Sequence, residues 1–247
     1  MELGELLRGK IVMFDGPDKA GKGTAAKAIC DHLSKIGLSI FDITKYQKEY
    51  GKLPTPQLFL STQGVVSAEP TYCWSGLDLR DEHLRNGNAG YEAEETAELF
   101  SANRCTLYRR CLLPALAKGM FWIQERGVVT SLVYQPVQAM MNGKKLSREY
   151  VENLAGNKLA LANPPHILII VNCNPEVAVL RKRVEKEDDS YFEQIDYMRK
   201  LNLGYKEPWV KDYFEELGSK VCYIDTTHYN EEDTRQKTLE TLLLALK

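Results

Sequence analysis

What the chain lacks narrows it first. It has no surplus of charge of either sign: 32 lysines and arginines face 34 aspartates and glutamates, a formal net charge of -2. The global field therefore gives no case for a polyanionic partner, and no nucleic acid is expected. A small anionic ligand held by local charge stays open, and Lys19, Lys22 and the run Arg181, Lys182, Arg183 are the local concentrations. No apolar run approaches the length that crosses a bilayer, and the opening MELGELLRGK has no apolar signal core, so no membrane association is expected. The cysteines Cys30, Cys73, Cys105, Cys111, Cys173 and Cys222 contain no C-x-x-C pair, which signals neither a zinc site nor a disulfide framework. A reducing, cytoplasmic setting is the expectation. With 44% hydrophobic and 27% charged residues the chain can bury a sizeable core. It has no linker or low-complexity tract, so a single domain over residues 1–247 is expected.

Apolar runs recur along the chain at 10–14, 38–43, 120–124 (MFWIQ), 166–171 (HILIIV) and 221–224 (VCYI). The near-continuous ones have the look of strands covered on both faces. Between them lie helical patterns, first from Lys22 to Ile36, closed by Gly37, and then from Tyr91 to Leu116. The second pattern is acidic early and carries Arg104, Arg109 and Arg110 late, the order a helix dipole favours, and Pro114 should bend or break it. Alternating strands and helices predict an α/β fold, a doubly wound parallel five-stranded sheet flanked by helices. Residues 45–70 hold three prolines and mixed periodicity, and an irregular insertion spanning about 45–90 is expected there.

Behind the first run stands FDGPDKAGKGT, residues 14–24, which contains G-x-x-x-x-G-K from Gly16 to Lys22 between a predicted strand and a predicted helix. In that setting successive backbone N–H groups and the helix N-terminus surround an anion. Gly16, Pro17, Ala20, Gly21, Lys22, Gly23 and Thr24 are thus candidates for the phosphates of ATP, with Lys22 reaching the β- and γ-phosphates as a point charge. Gly23 separates Lys22 from Thr24, where the generic motif has Ser or Thr directly after the lysine. Gly-Lys-Gly-Thr is the form seen in nucleoside monophosphate kinases. Asp18 and Lys19 lie inside the loop, where two phosphoryl groups would meet.

The stretch ELFSANRCTLYRRCLLPALAKGMFWIQERGVVTSLVYQ then carries Leu99, Phe100, Ala102, Asn103 and Arg104; Pro114, Ala115 and Leu116; Lys118 and Gly119; Glu125 and Arg126; and Ser131, Tyr134 and Gln135. In order and spacing it resembles the thymidylate kinases, and the likeness extends back to the glycine loop and forward to Asp225. The resemblance implies a P-loop NTPase fold with a lid, here the segment from Leu180 to Glu193, and transfer of a phosphoryl group from ATP, with Mg2+, to dTMP in the route to dTTP. It also implies a homodimer.

The residue roles the resemblance implies are physically coherent. Phe100 stacks on the pyrimidine, and Arg104, one turn further on, hydrogen-bonds the base carbonyl edge with Asn103 beside it. Arg126 holds the acceptor phosphate, Asp18 meets the sugar 3′-hydroxyl, and Tyr134 with Gln135 walls the sugar and base pocket. Lys19 bridges the two phosphates, where some family members have arginine, while Arg181 and Arg183 add lid charge. Glu125 and Thr24 hold magnesium. Without the resemblance, Phe100 and Tyr134 read as core residues, and Arg104 and Arg126 as surface charges. Glu125 stands where the family has aspartate, Gly127 replaces an aromatic or polar residue, and Asn172 takes a position often acidic. Glu69-Pro70 with Trp74 also resembles deoxynucleoside kinases, in which a carboxylate removes the proton of a 5′-hydroxyl. Glu69 then has two readings, as that base or as part of a nucleotide site to which Arg80 contributes. A kinase-like protein that binds nucleotide without turnover is the third.

Overall fold

A computed structural model describes residues 3–84, 90–183 and 191–247. Six strands form one wholly parallel sheet in the order β2-β3-β4-β1-β5-β6. They are β1 (Ile11–Asp15), β2 (Ile40–Asp42), β3 (Gly64–Ala68), β4 (Phe121–Glu125), β5 (Ile167–Asn172) and β6 (Lys220–Asp225). Every residue of β1 and β5 is buried, whereas the edge strand β6 buries only Val221 and Ile224. Central strands sandwiched by helices must be apolar on both faces. That is why their runs are continuous in the sequence.

The sheet has six strands where five were expected. The additional one, β3, lies inside the stretch expected to be irregular. Its GVVSA offers only two β-branched residues, and Gly64, Ser67 and Ala68 are weak strand formers, so it gives little signal by itself. It pairs with β2 and β4 all the same, and a side chain at Gly64 would put its Cβ 1.9 Å from the Phe121 ring. The same stretch holds the helix Ile43–Tyr50, whose Asp42 side chain accepts from the Lys45 N–H at 2.8 Å and which ends at Gly51 with φ 65. Residues 40–68 are thus an ordinary strand–helix–strand crossover.

The long helical pattern over 91–116 stays helical from Ala93 to Ala117, with right-handed helical backbone angles at Leu112 and Leu113, so Pro114 does not break it. Helix Ala93–Leu107 opens with a capping box between Glu92 and Glu95, passes through a wide turn at Tyr108–Leu112, and gives way to the short helix Leu113–Ala117, where Pro114 sits in the first turn. The wide turn just ahead of it accommodates a ring that has no N–H to donate. The core runs through the sheet, with Trp122, Phe14, Phe121, Met13 and Tyr108 almost wholly buried. Each such side chain contributes roughly 1.5–3 kcal/mol of burial.

Because all six strands run the same way, their C-terminal ends lie on one side of the sheet. Register then aligns those ends: Glu125 pairs with both Phe14 and Ala68. The next residues, Asp15, Glu69 and Arg126, consequently emerge side by side. Ligands of open α/β sheets bind at this edge. The segment 180–193 expected to form a lid lies largely outside the described residues, as does the side chain of Arg183.

Candidate active site

The glycine loop leaves β1 at Asp15. Gly16 has φ 140, and a Cβ there would lie 2.1 Å from the Val171 carbonyl oxygen, so only glycine lets the loop cross β5 this closely. Gly21, with φ 98, turns the chain into the helix Lys22–Lys35. Lys22 is 4% exposed, and its Nζ donates to the Pro17 carbonyl. Burial, reinforced by the nearby Arg126 charge, lowers its pKa to about 8. The ammonium is held under the loop and makes no ion pair among the described residues. A phosphate is its natural counterpart.

The loop is tied down from behind by two residues the sequence did not single out. Thr226 Oγ1 donates to the Ala20 carbonyl at 2.8 Å. Asp15 is fully buried and accepts from five groups: the N–H groups of Gly16, Gly127 and Thr130, Thr130 Oγ1, and the Tyr205 hydroxyl at 2.6 Å. Its carboxylate caps the helix Val128–Met141, whose own N-cap residue supplies no side-chain cap. The hint was an aspartate directly ahead of Gly16, but apart from Gly16 its partners are distant in the chain. Arg181 donates to the carbonyls of Lys19, Thr226 and Tyr229 and to Thr226 Oγ1, bracing the loop against the segment after β6.

Two cavities open at the strand ends. One, about 770 Å3, is lined by Gly21, Lys22, Gly23, Thr24, Arg181 and the 229–234 segment. The other, about 580 Å3, is lined by Glu69, Tyr72, Arg80, Phe100, Tyr134, Gln135, Gln138, Tyr197 and Met198 among others. Asp18, Lys19, Glu125 and Arg126 line both. The junction therefore has two cations and two carboxylates, and Arg126 Nη2 is ion-paired with Asp18. Arg126 holds φ 63 and Lys19 φ 58, left-handed conformations uncommon outside glycine and a recurrent sign of functional constraint. The Arg126 guanidinium also stands 5.3 Å from the Tyr134 ring centroid.

Phe100 lies in the wall of the second cavity, and Arg80 lines it while donating to the carbonyls of Pro70 and Thr71 and stacking 3.6 Å above the Tyr72 ring. Arg104 and Asn103 stand elsewhere. Arg104 is 0% exposed and lines neither cavity. Its Nε meets Glu69 Oε2 at 2.8 Å, Nη1 donates to Asn157 Oδ1, and Nη2 donates to the Gly127 carbonyl and Ser131 Oγ. Four of its five N–H donors thus meet protein acceptors, a placement that differs from the expected one against a base. Asn103 similarly holds the 71–75 loop, accepting from the Thr71 N–H and donating to Thr71 Oγ1 and Ser75 Oγ. Glu69 is 3% exposed, and its second oxygen accepts from Gln124 Nε2 at 2.7 Å. Burial pushes its carboxyl up, against the opposing pull of the Arg104 charge.

A family model described as thymidylate kinase matches residues 59–237. The chain belongs to the thymidylate kinase family. Curated relatives include the thymidylate kinases of Caldanaerobacter subterraneus, 27% identical over 85% of each chain, and of Kosmotoga olearia, 26% identical over 96% of each. The crystal structure of thymidylate kinase from Ehrlichia chaffeensis superposes with a TM-score of 0.60 at 16% identity, covering 96% of this chain and 99% of that one, which shows the shared fold. The family takes ATP as its phosphoryl donor.

Proposed function

We propose that the protein transfers the γ-phosphoryl group of ATP to dTMP, giving dTDP and ADP. The observation that carries this reading is the junction of the two cavities at Asp18, Lys19, Glu125 and Arg126, which lets two ligands meet end to end. ATP lies with its phosphates on the loop from Gly16 to Thr24. The acceptor occupies the other cavity, its base against Phe100, its sugar near Asp18 and Tyr134, and its phosphate at Arg126 with Arg80 nearby.

An acceptor phosphate is already anionic and needs no base. The demand on the protein is positioning and charge neutralisation along the line of transfer. Lys22 and Lys19 supply the positive charge, and Arg126 exchanges its bond to Asp18 for the incoming phosphate. Arg181 fixes the loop backbone from below. The donor set suits magnesium: a Cβ on Gly23 would lie 3.4 Å from Glu125 Oε2, so that carboxylate stands beside the Gly23–Thr24 backbone. Asp15 has its lone pairs committed, and no cluster of three His, Cys, Asp or Glu is present among the described residues. One carboxylate and the Thr24 hydroxyl, completed by substrate phosphates and water, is a common magnesium arrangement. Bound there, the ion would neutralise charge on the phosphates.

The nucleoside-kinase reading asks Glu69 to take a proton from a 5′-hydroxyl. Its two oxygens already accept from Arg104 and Gln124, which favours the nucleotide instead. No described helix is long and apolar enough to cross a membrane, and a cytoplasmic homodimer without nucleic acid is part of the proposal. The test is ATP- and magnesium-dependent phosphorylation of dTMP and thymidine side by side, with product identity read directly. dTDP formed from dTMP is the expected result. Conversion of thymidine to dTMP would transfer the role to Glu69, and ATP binding without either product would make the protein a nucleotide binder.

A further inference from the structure

Asp15 accepts from five groups, but only one of them, the Gly16 N–H, belongs to the glycine loop. We infer that Tyr205, Asp15 and Thr130 form a hydrogen-bonded brace that holds Arg126 in register with that loop, which makes Tyr205 and Asp15 positioning residues for the transfer step. The inference rests on the proposal that Arg126 holds the acceptor phosphate.

The brace fixes Arg126 at both ends. Its left-handed backbone, φ 63, is a conformation that persists only where the surroundings over-determine it. They do so here: the Arg126 N–H donates to the Phe14 carbonyl at 2.8 Å, and the next N–H, that of Gly127, donates to Asp15 Oδ2 at 3.1 Å. The Gly127 carbonyl accepts in turn from Arg104 Nη2 at 2.9 Å. At the far end, Arg126 Nη1 donates to Thr130 Oγ1 and to the Gly16 carbonyl, each at 3.4 Å. Thr130 has one hydroxyl hydrogen, and Asp15 Oδ1 takes it at 2.7 Å, which turns a lone pair towards Arg126. The same Oδ1 accepts from the Gly16 N–H at 2.8 Å. One carboxylate thus ties the first residue of the glycine loop to both the backbone and the guanidinium of Arg126. Tyr205 completes the set from a third element, the helix Tyr191–Lys206, its wholly buried hydroxyl donating to Asp15 Oδ1 at 2.6 Å. Tyr205 lines neither cavity, so it reaches the reaction only through Asp15 and Thr130. Register matters because the reacting phosphates must be held in line, and a misplacement of about 1 Å costs about 10²-fold. A nucleotide bound alone can follow a shifted Arg126. Two nucleotides that have to meet cannot.

The test compares the full chain as wild type, Tyr205→Phe and Asp15→Asn. It reads kcat for dTDP formation, calorimetric affinities for ATP and dTMP singly, and the affinity for adenosine and thymidine joined by five phosphates. Tyr205→Phe removes one hydroxyl from outside both cavities. It should lower kcat and the affinity for the joined compound about tenfold each, while the affinity for each single nucleotide stays within about twofold of wild type. Asp15→Asn keeps the shape but turns an N–H2 donor towards groups that donate, and should lower kcat about 10²-fold in the same pattern. A role in stability alone would lower the melting temperature and leave kcat and the affinity for the joined compound unchanged. That result would overturn the inference, as would an equal loss of affinity for ATP, dTMP and the joined compound. Should Asp15→Asn fail to fold, Tyr205→Phe decides alone. A wild type that binds the joined compound more tightly than ATP yet forms no dTDP would overturn the proposed function, while weaker binding of that compound by Tyr205→Phe would still support the brace. A wild type that binds it no more tightly than ATP would overturn both.

Discussion

The cavity at the glycine loop, proposed for the donor, and the cavity at Phe100, proposed for the acceptor, are built in opposite ways. The first takes its largest contribution from one short stretch, Asp18 to Thr24, with Arg181 and the 229–234 segment opposite. The second draws on β3, the Ala93–Leu107 helix, the Val128–Met141 helix and the Tyr191–Lys206 helix, whose contributors are far apart in the chain. A loop that binds phosphate with its backbone depends on glycines and a helix terminus, both local properties. A pocket that recognises a base depends on side chains assembled by the tertiary fold. The donor side should therefore fail by losing chemistry, and the acceptor side by losing its framework.

Arg104→Ala offers the largest contrast. It leaves Glu69 buried beside Gln124 with no cation, and breaking such a pair costs about 3–5 kcal/mol. Thermal unfolding should show this loss, and the double variant Arg104→Ala/Glu69→Gln should recover part of it. If Arg104→Ala kept its melting temperature and lost only dTMP affinity, Arg104 would be a base contact after all. Lys22→Ala comes next. It should reduce kcat by about 10²- to 10³-fold with every acceptor, with little change in melting temperature. A stable but inactive protein is the donor-side signature.

Phe100→Ala should weaken dTMP binding by about 1–1.5 kcal/mol or more and leave ATP binding alone. Equal weakening of both nucleotides would blur the division into two cavities. The smallest effect is in pH. Lys22 titrates near pH 8 in the ligand-free protein because burial disfavours its charged form. Bound phosphate favours the charged form and raises that value. Below pH 8 the lysine is protonated in both states, so affinity for ATP stays level. Above it, binding must take up a proton, and affinity should fall by about tenfold per pH unit. Calorimetry in buffers of different ionisation enthalpy would detect the uptake, and Lys22→Ala should abolish it.

This contrast also separates what was legible in the sequence from what was not. β1, the loop and the helix after it could be read because apolar run, glycines and helical spacing are all local. The buried strands β4 and β5 were equally plain. β3 was not, since Gly64–Ala68 becomes a strand only through its neighbours β2 and β4. At the site, Phe100, Arg126, Tyr134 and Gln135 were singled out by the order and spacing of a family pattern, and all four line the 580 Å3 cavity. Arg104 belonged to the same pattern, yet whether its guanidinium faces a cavity or a buried carboxylate depends on Glu69, Asn157 and Ser131, which no spacing along the chain reveals. Asp15 escaped notice for the same reason: what marks it is a set of distant donors.

The claim that joins both halves is that donor and acceptor occupy the two cavities at once and meet at Asp18, Lys19, Glu125 and Arg126. The direct test is the affinity of a bisubstrate compound, adenosine and thymidine joined by five phosphates, measured by calorimetry against ATP and dTMP separately. Binding about 10²-fold or more tighter than either nucleotide alone, and lost in Arg126→Ala, is the predicted result. Affinity no greater than that of ATP, or unaffected by Arg126→Ala, would contradict it.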